Sequence, residues 1–216
     1  MDGFNDESYS EEKMRDAYNR IAEDWHIDHK PDTWWINGTD AFISFLQPGA
    51  LVLDVGCGGG VKAQYLAKKG FKVFGIDFSA GMIEIARREV PEAEFAVMDM
   101  KDLSSIRREF DGVFAQASLL HIPKKEVHLV FREFLSHLKP NGYLYVAVKE
   151  KKDNAPDEEE KQENDYGYEY KRFFSFYTID ELKQYFLDAG LAIVYEGVVP
   201  SGKTRWLSVI GRKGKK

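Results

Sequence analysis

Leu51-Val-Leu-Asp-Val-Gly-Cys-Gly-Gly-Gly60 is the stretch that decides the fold. Leu51–Val55 is short, apolar and rich in β-branched residues, with an acid near its end, as expected of a strand buried in a parallel sheet. The glycines at 56, 58, 59 and 60 follow at once, and residues 61–69 read as a helix closed by Gly70. Strand, glycine turn and helix in succession make the entry to an α/β nucleotide site. Glycine admits positive φ and lets a ligand approach the backbone without a Cβ in the way.

Three ligands compete for such a turn. A phosphate-cradling loop ends in Gly-Lys-Ser/Thr, which Gly60-Val61-Lys62-Ala63 does not supply. A dinucleotide fingerprint places its third glycine at position 61, which is Val. The spacing here is acid-x-Gly-x-Gly-x-Gly, from Asp54 through Gly56, Gly58 and Gly60.

Four further anchors follow in order. Lys72-Val-Phe-Gly-Ile-Asp77 reads as the next strand and ends in an acid 19 residues after Gly58, placed to accept from both hydroxyls of a ribose. Ser79 is a plausible N-cap for a helix over 80–88. Ala93-Glu-Phe-Ala-Val-Met-Asp99 is a third strand with Met100 behind it. Phe110 to His121 is a fourth, and Leu138 to Val148 reads as a helix end, a turn and a fifth strand. Together the five resemble the ordered motifs of the class I S-adenosylmethionine-dependent methyltransferases. The resemblance covers roughly residues 45–150 and, more loosely, the helix and paired strands after 175.

That resemblance implies an α/β, Rossmann-like fold: a seven-stranded, mostly parallel sheet with one antiparallel strand, helices on both faces and an N-terminal helical cap. The implied cofactor is S-adenosylmethionine, leaving as S-adenosylhomocysteine. Gly56, Cys57, Gly58 and Gly60 would lie against its methionine end, with Asp54 ordering the turn. Asp77 would hold the ribose, and Phe78 and Met82 would flank the adenine. Asp99 would accept from the adenine amino group while Met100 packs on the ring. Gln116, Ala117 and His121 would border the sulfonium. His121 carries two readings of equal weight: a base with a pKa near 6.5, or a wall residue. Cys57 is read as a small residue filling the turn rather than a nucleophile.

Before the core, Met14, Ala17, Tyr18, Ile21, Ala22 and Trp25 recur at helical spacing after a capping box at Ser8-Tyr-Ser-Glu11, while residues 1–9 read as a frayed polar end. Residues 26–33 read as a polar hinge, and Trp34-Trp35 opens a second helix. In similar methyltransferases such helices fold over the cofactor, so Tyr18, Trp25, Trp34 and Trp35 are pocket candidates; for Trp25, core packing is the equal alternative. His26, His29, His128 and His137 read as surface residues. Residues 151–164 are rich in Lys, Asp and Glu and read as an exposed loop at the active-site mouth. Beyond it Tyr166, Tyr168, Tyr170 and Arg172 are placed to line a substrate pocket. Thr178-Ile-Asp-Glu181 caps a last helix, followed by a strand hairpin. The expected division is a cap over 1–47, a cofactor core over 48–150, an insertion over 151–175 and a C-terminal helix and hairpin over 176–216, all within one domain.

Composition narrows the function. At 216 residues and 44% apolar content one domain with a sizeable core is expected. No apolar run approaches the roughly 18 residues of a membrane span, and the acidic, polar N-terminus does not read as a secretory signal. Cys57 is the only cysteine, which excludes an internal disulfide and fits a reducing cytoplasm. No metal-ligand spacing occurs. A net charge of −6 counts against nucleic acid, whose binders carry a basic footprint; the one basic stretch is the tail from Gly211 to Lys216. The expected partner is thus a small-molecule acceptor, with no membrane, for a monomer or homodimer. One alternative is methylation of a modified tRNA uridine, since Arg172-Phe-Phe-Ser-Phe-Tyr177, Glu181-Leu182 and Trp206 loosely resemble the tail of wobble-uridine carboxymethyl methyltransferases. Another is a cofactor-binding module without catalysis.

Overall fold

The computed structural model describes residues 9–215. Seven strands form one sheet in the order β3-β2-β1-β4-β5-β9-β8. Its members are β1 (Leu51–Val55), β2 (Lys72–Asp77), β3 (Glu94–Val97), β4 (Phe110–Gln116), β5 (Leu138–Lys149), β8 (Ala192–Ser201) and β9 (Thr204–Arg212). The first five pair in parallel; β9 runs antiparallel to both β5 and β8. This is the expected mostly parallel sheet with one antiparallel strand.

Alternation along the strands builds two cores. Leu53 and Val55 face one side with Val113, Val146 and Val209, covered by α5 (Val127–His137) and α6 (Ile179–Asp188). Val52, Phe114 and Tyr145 face the other, beneath α2 (Ile36–Ile43) and α3 (Val61–Lys68). Because both faces are covered, β1 is apolar throughout except for Asp54.

The N-terminal helix, α1 (Glu11–His29), buries Met14, Ala17, Tyr18, Ile21 and Ala22. That stripe packs on Met82 and Ile85 of α4 (Ala80–Glu89) and on Tyr170 and Phe173. Burying Ile21 alone is worth about 1.5–3 kcal/mol, so the cap is held by packing as well as by helix propensity. Polar contacts fix its register: Asn19 Oδ1 accepts from the Ser79 hydroxyl at 2.8 Å and from the Gly81 N–H at 3.2 Å.

Several local expectations are corrected. The helix is capped by Ser10, whose hydroxyl accepts from Lys13 N–H, and not by Ser8, which lies outside the described residues; of the expected frayed end at 1–9 only Tyr9 is described, and it is packed, its ring edge-on to Phe173 at 5.0 Å. The hinge begins only after His29, because α1 continues through 26–29. Trp34 and Trp35 precede α2 rather than open it. Asn141 sits at φ 62° inside β5, so the expected turn is an irregularity within a strand. The tail is partly structure: Arg212 ends β9, and the Lys213 ammonium donates to the Leu135 and Leu138 carbonyls.

The largest correction is the charged insertion. Glu158–Glu163 is strand β6, paired antiparallel with β7 (Tyr170–Ser175). Its carboxylates are consumed locally. Glu160 meets Lys171, Glu163 meets Arg172, and Glu158 accepts from the Lys124 N–H and the Ser175 hydroxyl. The partner strand buries Tyr170, Phe173 and Phe174, so it supplies the apolar surface that β6 lacks. A charge run facing cations across a ladder is a strand, whereas the same run without partners would stay solvated.

Candidate functional site

A cavity of about 320 Å³ opens beyond the carboxyl ends of β1, β2 and β4, lined from α1 and, through Arg172 and Phe174, from β7. Ligands of open α/β sheets bind in this position.

The glycine turn forms the floor. Gly56, Gly58 and Gly60 all have positive φ, at 67°, 52° and 82°. They serve different ends. A Cβ on Gly56 would lie 2.3 Å from Ser118 Cβ, so glycine lets β1 and the segment after β4 touch. A Cβ on Gly58 would meet only the edge of the Trp25 indole, at 3.4 Å. Gly60 faces Ala86 and Val90 and permits α3 and α4 to pack; it does not line the cavity.

Asp77 ends β2 with its carboxylate buried. Oδ2 accepts from the Gly58 N–H at 3.0 Å and Oδ1 from the Ser79 N–H at 2.9 Å. Burial pushes its pKa up to about 6, opposed by those two N–H donors. Asp77 therefore orders the glycine turn, the part expected of Asp54. Asp54 itself does not line the cavity: it is buried, its Oδ2 has no partner, and burial raises its pKa to about 7 against the pull of Lys62.

Phe78, Met82, Asp99 and Met100 come together along one side of the cavity. Asp99 Oδ1 accepts from the Lys101 N–H at 2.8 Å. Burial and the adjacent Glu11 carboxylate raise its pKa to about 6, and Lys101 bridges Glu11 and Glu126 beside it. Glu11 thus ties the first turn of α1 to the end of the third strand.

Gln116 ends β4 and Ala117 follows it. Gln116 Oε1 accepts from the Tyr145 hydroxyl at 2.7 Å, while its Nε2 is buried without a partner. Ala117 holds φ 58°, a conformation non-glycine residues rarely adopt. His121, in a 3₁₀ turn at Leu119–His121, joins a relay. Its Nδ1 lies 2.7 Å from the Phe173 carbonyl and its Nε2 2.7 Å from the Tyr18 hydroxyl. Arg172 donates to that same hydroxyl at 3.3 Å and holds Glu163 through two further bonds. The expectation of an imidazole titrating near 6.5 is corrected here: burial pushes His121 down to about 3. It remains a neutral acceptor at physiological pH.

Of the expected pocket residues, Tyr18, Trp25, Trp34 and Arg172 line the cavity together with Cys57, which is buried and free. Trp35, Tyr166, Tyr168 and Tyr170 do not. Trp35 is buried edge-on against Tyr65 and donates to the Asp32 carbonyl. Tyr168 lies under the Arg20 guanidinium at 4.2 Å and donates to Asp24 on the outside. One expected surface histidine is buried, His26, which lies at the Gly59 backbone; His29 keeps about 35% of its side chain exposed while it stacks on Trp25 at 4.3 Å and lines the cavity.

Sequence reasoning missed Lys62, Lys149, Ser118 and Trp206, all at the cavity. Lys149 is the last residue of β5, and its strand-end position is the available signal. Lys62 extends between the Trp25 and Trp35 rings, 5.8 and 5.7 Å from their centres. Trp206 stacks on Trp34 at 4.0 Å and 15°, a contact between chain ends that spacing does not reveal. Among the described residues no group of three or more His, Cys, Asp or Glu could hold a metal ion, and no helix is long and apolar enough to cross a membrane.

Known proteins share parts of this geometry. Residues 52–142 match the family model described as a methyltransferase domain. The chain is 34% identical over 106 residues to a ubiquinone biosynthesis O-methyltransferase of Xanthomonas campestris, covering 47% of this chain and 44% of that one. It is 42% identical over 106 residues to a 2-methyl-6-phytyl-1,4-hydroquinone methyltransferase of Synechocystis, covering 47% and 33%. The chain thus spans about half the length, or less, of these relatives. Among solved structures, the 1,6-didemethyltoxoflavin-N1-methyltransferase of Burkholderia thailandensis superposes with TM-score 0.75 at 19% identity, over 94% of this chain and 88% of that one. The [4+2]-cyclase SpnF matches with TM-score 0.75 at 18% identity, over 97% and 98%. The glycine turn and the strand-end acids lie within or beside the matched segment, and residues 52–142 are similar to a methyltransferase domain.

Proposed function

We propose that this protein binds S-adenosylmethionine and transfers its methyl group to a small-molecule acceptor. The observation that carries the reading is Asp77, which holds the Gly58 N–H while lining the cavity at the end of β2. Its two oxygens retain lone pairs for a pair of ribose hydroxyls. Phe78 and Met82 supply apolar faces for the adenine and Asp99 an acceptor for its amino group. The unpartnered Nε2 of Gln116 and the cation of Lys62, beside the glycine turn, suit the polar methionine end.

The cofactor, when bound, supplies an activated methyl group for in-line displacement by an O, N or C nucleophile. This chain's residues then have to align the acceptor and exclude water. Tyr18, Trp25 and Trp34 close the cavity over the turn, and the Tyr18–His121 pair presents a fixed polar wall. Because His121 is already an acceptor for Tyr18, any proton it takes from an acceptor passes through the Tyr18 hydroxyl.

A small acceptor fits the cavity of about 320 Å³, the net charge of −6 and the small molecules named for the relatives above. The single buried free cysteine fits a reducing cytoplasm. The structural likeness to a cyclase sets the test: methyl transfer itself must be read. Radiolabelled S-adenosylmethionine is incubated with the protein and cell extract, split into small-molecule and RNA fractions. Label in the small-molecule fraction supports the proposal. Label confined to RNA, or binding without any transfer, contradicts it.

A further inference from the structure

Lys149 is a cation without an ion-pair partner among the described residues. Its ammonium lies 4.1 Å from the centre of the Phe174 ring and 5.7 Å from that of Trp206. Among the described residues no carboxylate comes within 4.0 Å of it, whereas Lys151, Lys161 and Arg172 all hold one. Five titratable groups act on it from the surrounding elements. Arg172 on β7, His121 after β4 and Lys161, Glu159 and Glu163 on β6 face it. Both carboxylates are committed elsewhere, Glu159 to Lys161 and Glu163 to Arg172. Burial, reinforced by Arg172 and Lys161, lowers the Lys149 pKa to about 8, so it stays mostly charged at neutral pH. A cation desolvated among rings and left unpaired is unfavourable on its own and favours an anion in the cavity it lines.

The wall beside it is flat. Trp206 stacks on Trp34 at 4.0 Å and 15°, and both rings line the cavity. Each indole is held by the other, so the stack presents a fixed aromatic face, which selects planar rings.

We propose that the acceptor is a planar aromatic acid, bound with its carboxylate on Lys149 Nζ and its ring beside Trp206. This rests on the methyltransferase reading of the cavity and names the acceptor class for it. Lys149 acts here by binding charge, not by moving a proton.

The test uses protein saturated with S-adenosylhomocysteine, read by calorimetry and tryptophan fluorescence. The probes are salicylate and 1-hydroxy-2-naphthoate, their uncharged amides, and cyclohexanecarboxylate as the non-planar acid. The aromatic carboxylates should bind at least about tenfold tighter than their amides and than the cyclohexane acid, and should weaken as pH rises through about 8. Lys149→Met should bring acid and amide within about twofold, and Lys149→Arg should retain the preference. Equal binding of acid and amide by the unaltered protein, no binding by either aromatic acid, or a preference that survives Lys149→Met overturns the proposal. S-adenosylhomocysteine affinity, measured on the same samples, separates the two levels. Tight cofactor binding without acid preference rejects the acceptor class alone. Failure to bind the cofactor removes the reading beneath it, and both fall.

Discussion

The Tyr18 hydroxyl lies 2.7 Å from Nε2 of His121, joining the cap helix to the turn after the fourth strand. The direction of the proton follows from the other nitrogen. Nδ1 lies 2.7 Å from the Phe173 carbonyl, which can only accept, so Nδ1 carries the hydrogen and Nε2 accepts from Tyr18. Tyr18→Phe leaves Nε2 without its donor and Arg172 without one acceptor. It should lower stability by about 1–2 kcal/mol, read by chemical denaturation. An unchanged midpoint would show that the cavity's water replaces the hydroxyl at no cost.

His121 gives stability a pH dependence. Its folded pKa, about 3, lies below its ordinary 6.5, so between these values the unfolded chain binds the extra proton. The stabilisation is complete above pH 6.5 and is lost as pH falls toward 3, at most about 1.4 kcal/mol per pH unit. Comparing the unaltered protein with His121→Gln cancels the carboxylates common to both. The unaltered protein should lose stability relative to the variant from pH 6.5 to 4.5. Parallel curves would mean the imidazole is solvated.

Asp54 works in the opposite sense. Its folded pKa, about 7, lies above the ordinary 3.8, so its contribution is greatest below pH 3.8 and is lost as pH rises through 7. Asp54→Asn should therefore raise Tm at pH 8, by an amount corresponding to roughly 2 kcal/mol, with the gain shrinking toward pH 4. A gain independent of pH, or a loss at pH 8, would show that Lys62 compensates the carboxylate in full.

Much of this was legible in the sequence because it is local. The five strand-end motifs are short runs in which hydrophobic period, acid and glycine sit side by side, and the structure gathers Gly58, Asp77, Phe78 and Asp99 around one cavity. What was not legible depends on partners far away in the chain. Glu158 to Glu163 read as solvated because Lys171 and Arg172, the cations that neutralise Glu160 and Glu163, lie across a ladder. His26 read as exposed because nothing local announces that the Gly59 backbone will lie against its ring. Asp54 lies one residue before the end of β1 and Asp77 ends β2, and only the hydrogen bond from Gly58 shows which of them holds the turn.

The Gly56 backbone tests the turn independently. Its φ is 67°, and a Cβ there would lie 2.3 Å from Ser118 Cβ. Gly56→Ala should destabilise the fold by more than about 1 kcal/mol and weaken the cofactor, while Gly49→Ala, also at positive φ but in open space, should cost only the strain of its backbone. Equal losses in the two variants would contradict the close approach of β1 to the segment after β4.

The central claim is that the Asp77 carboxylate and the glycine turn form a site for S-adenosylmethionine and its product. Isothermal calorimetry of the unaltered protein and Asp77→Ala, titrated with S-adenosylhomocysteine and with NAD, tests it most directly. The account predicts micromolar or tighter binding of S-adenosylhomocysteine, far weaker NAD binding, and a loss of roughly 1–3 kcal/mol in the variant. Affinity for the product cofactor should also fall below pH 6, where Asp77 takes up a proton. Preferential binding of NAD, or S-adenosylhomocysteine bound equally well without the Asp77 carboxylate, would contradict it.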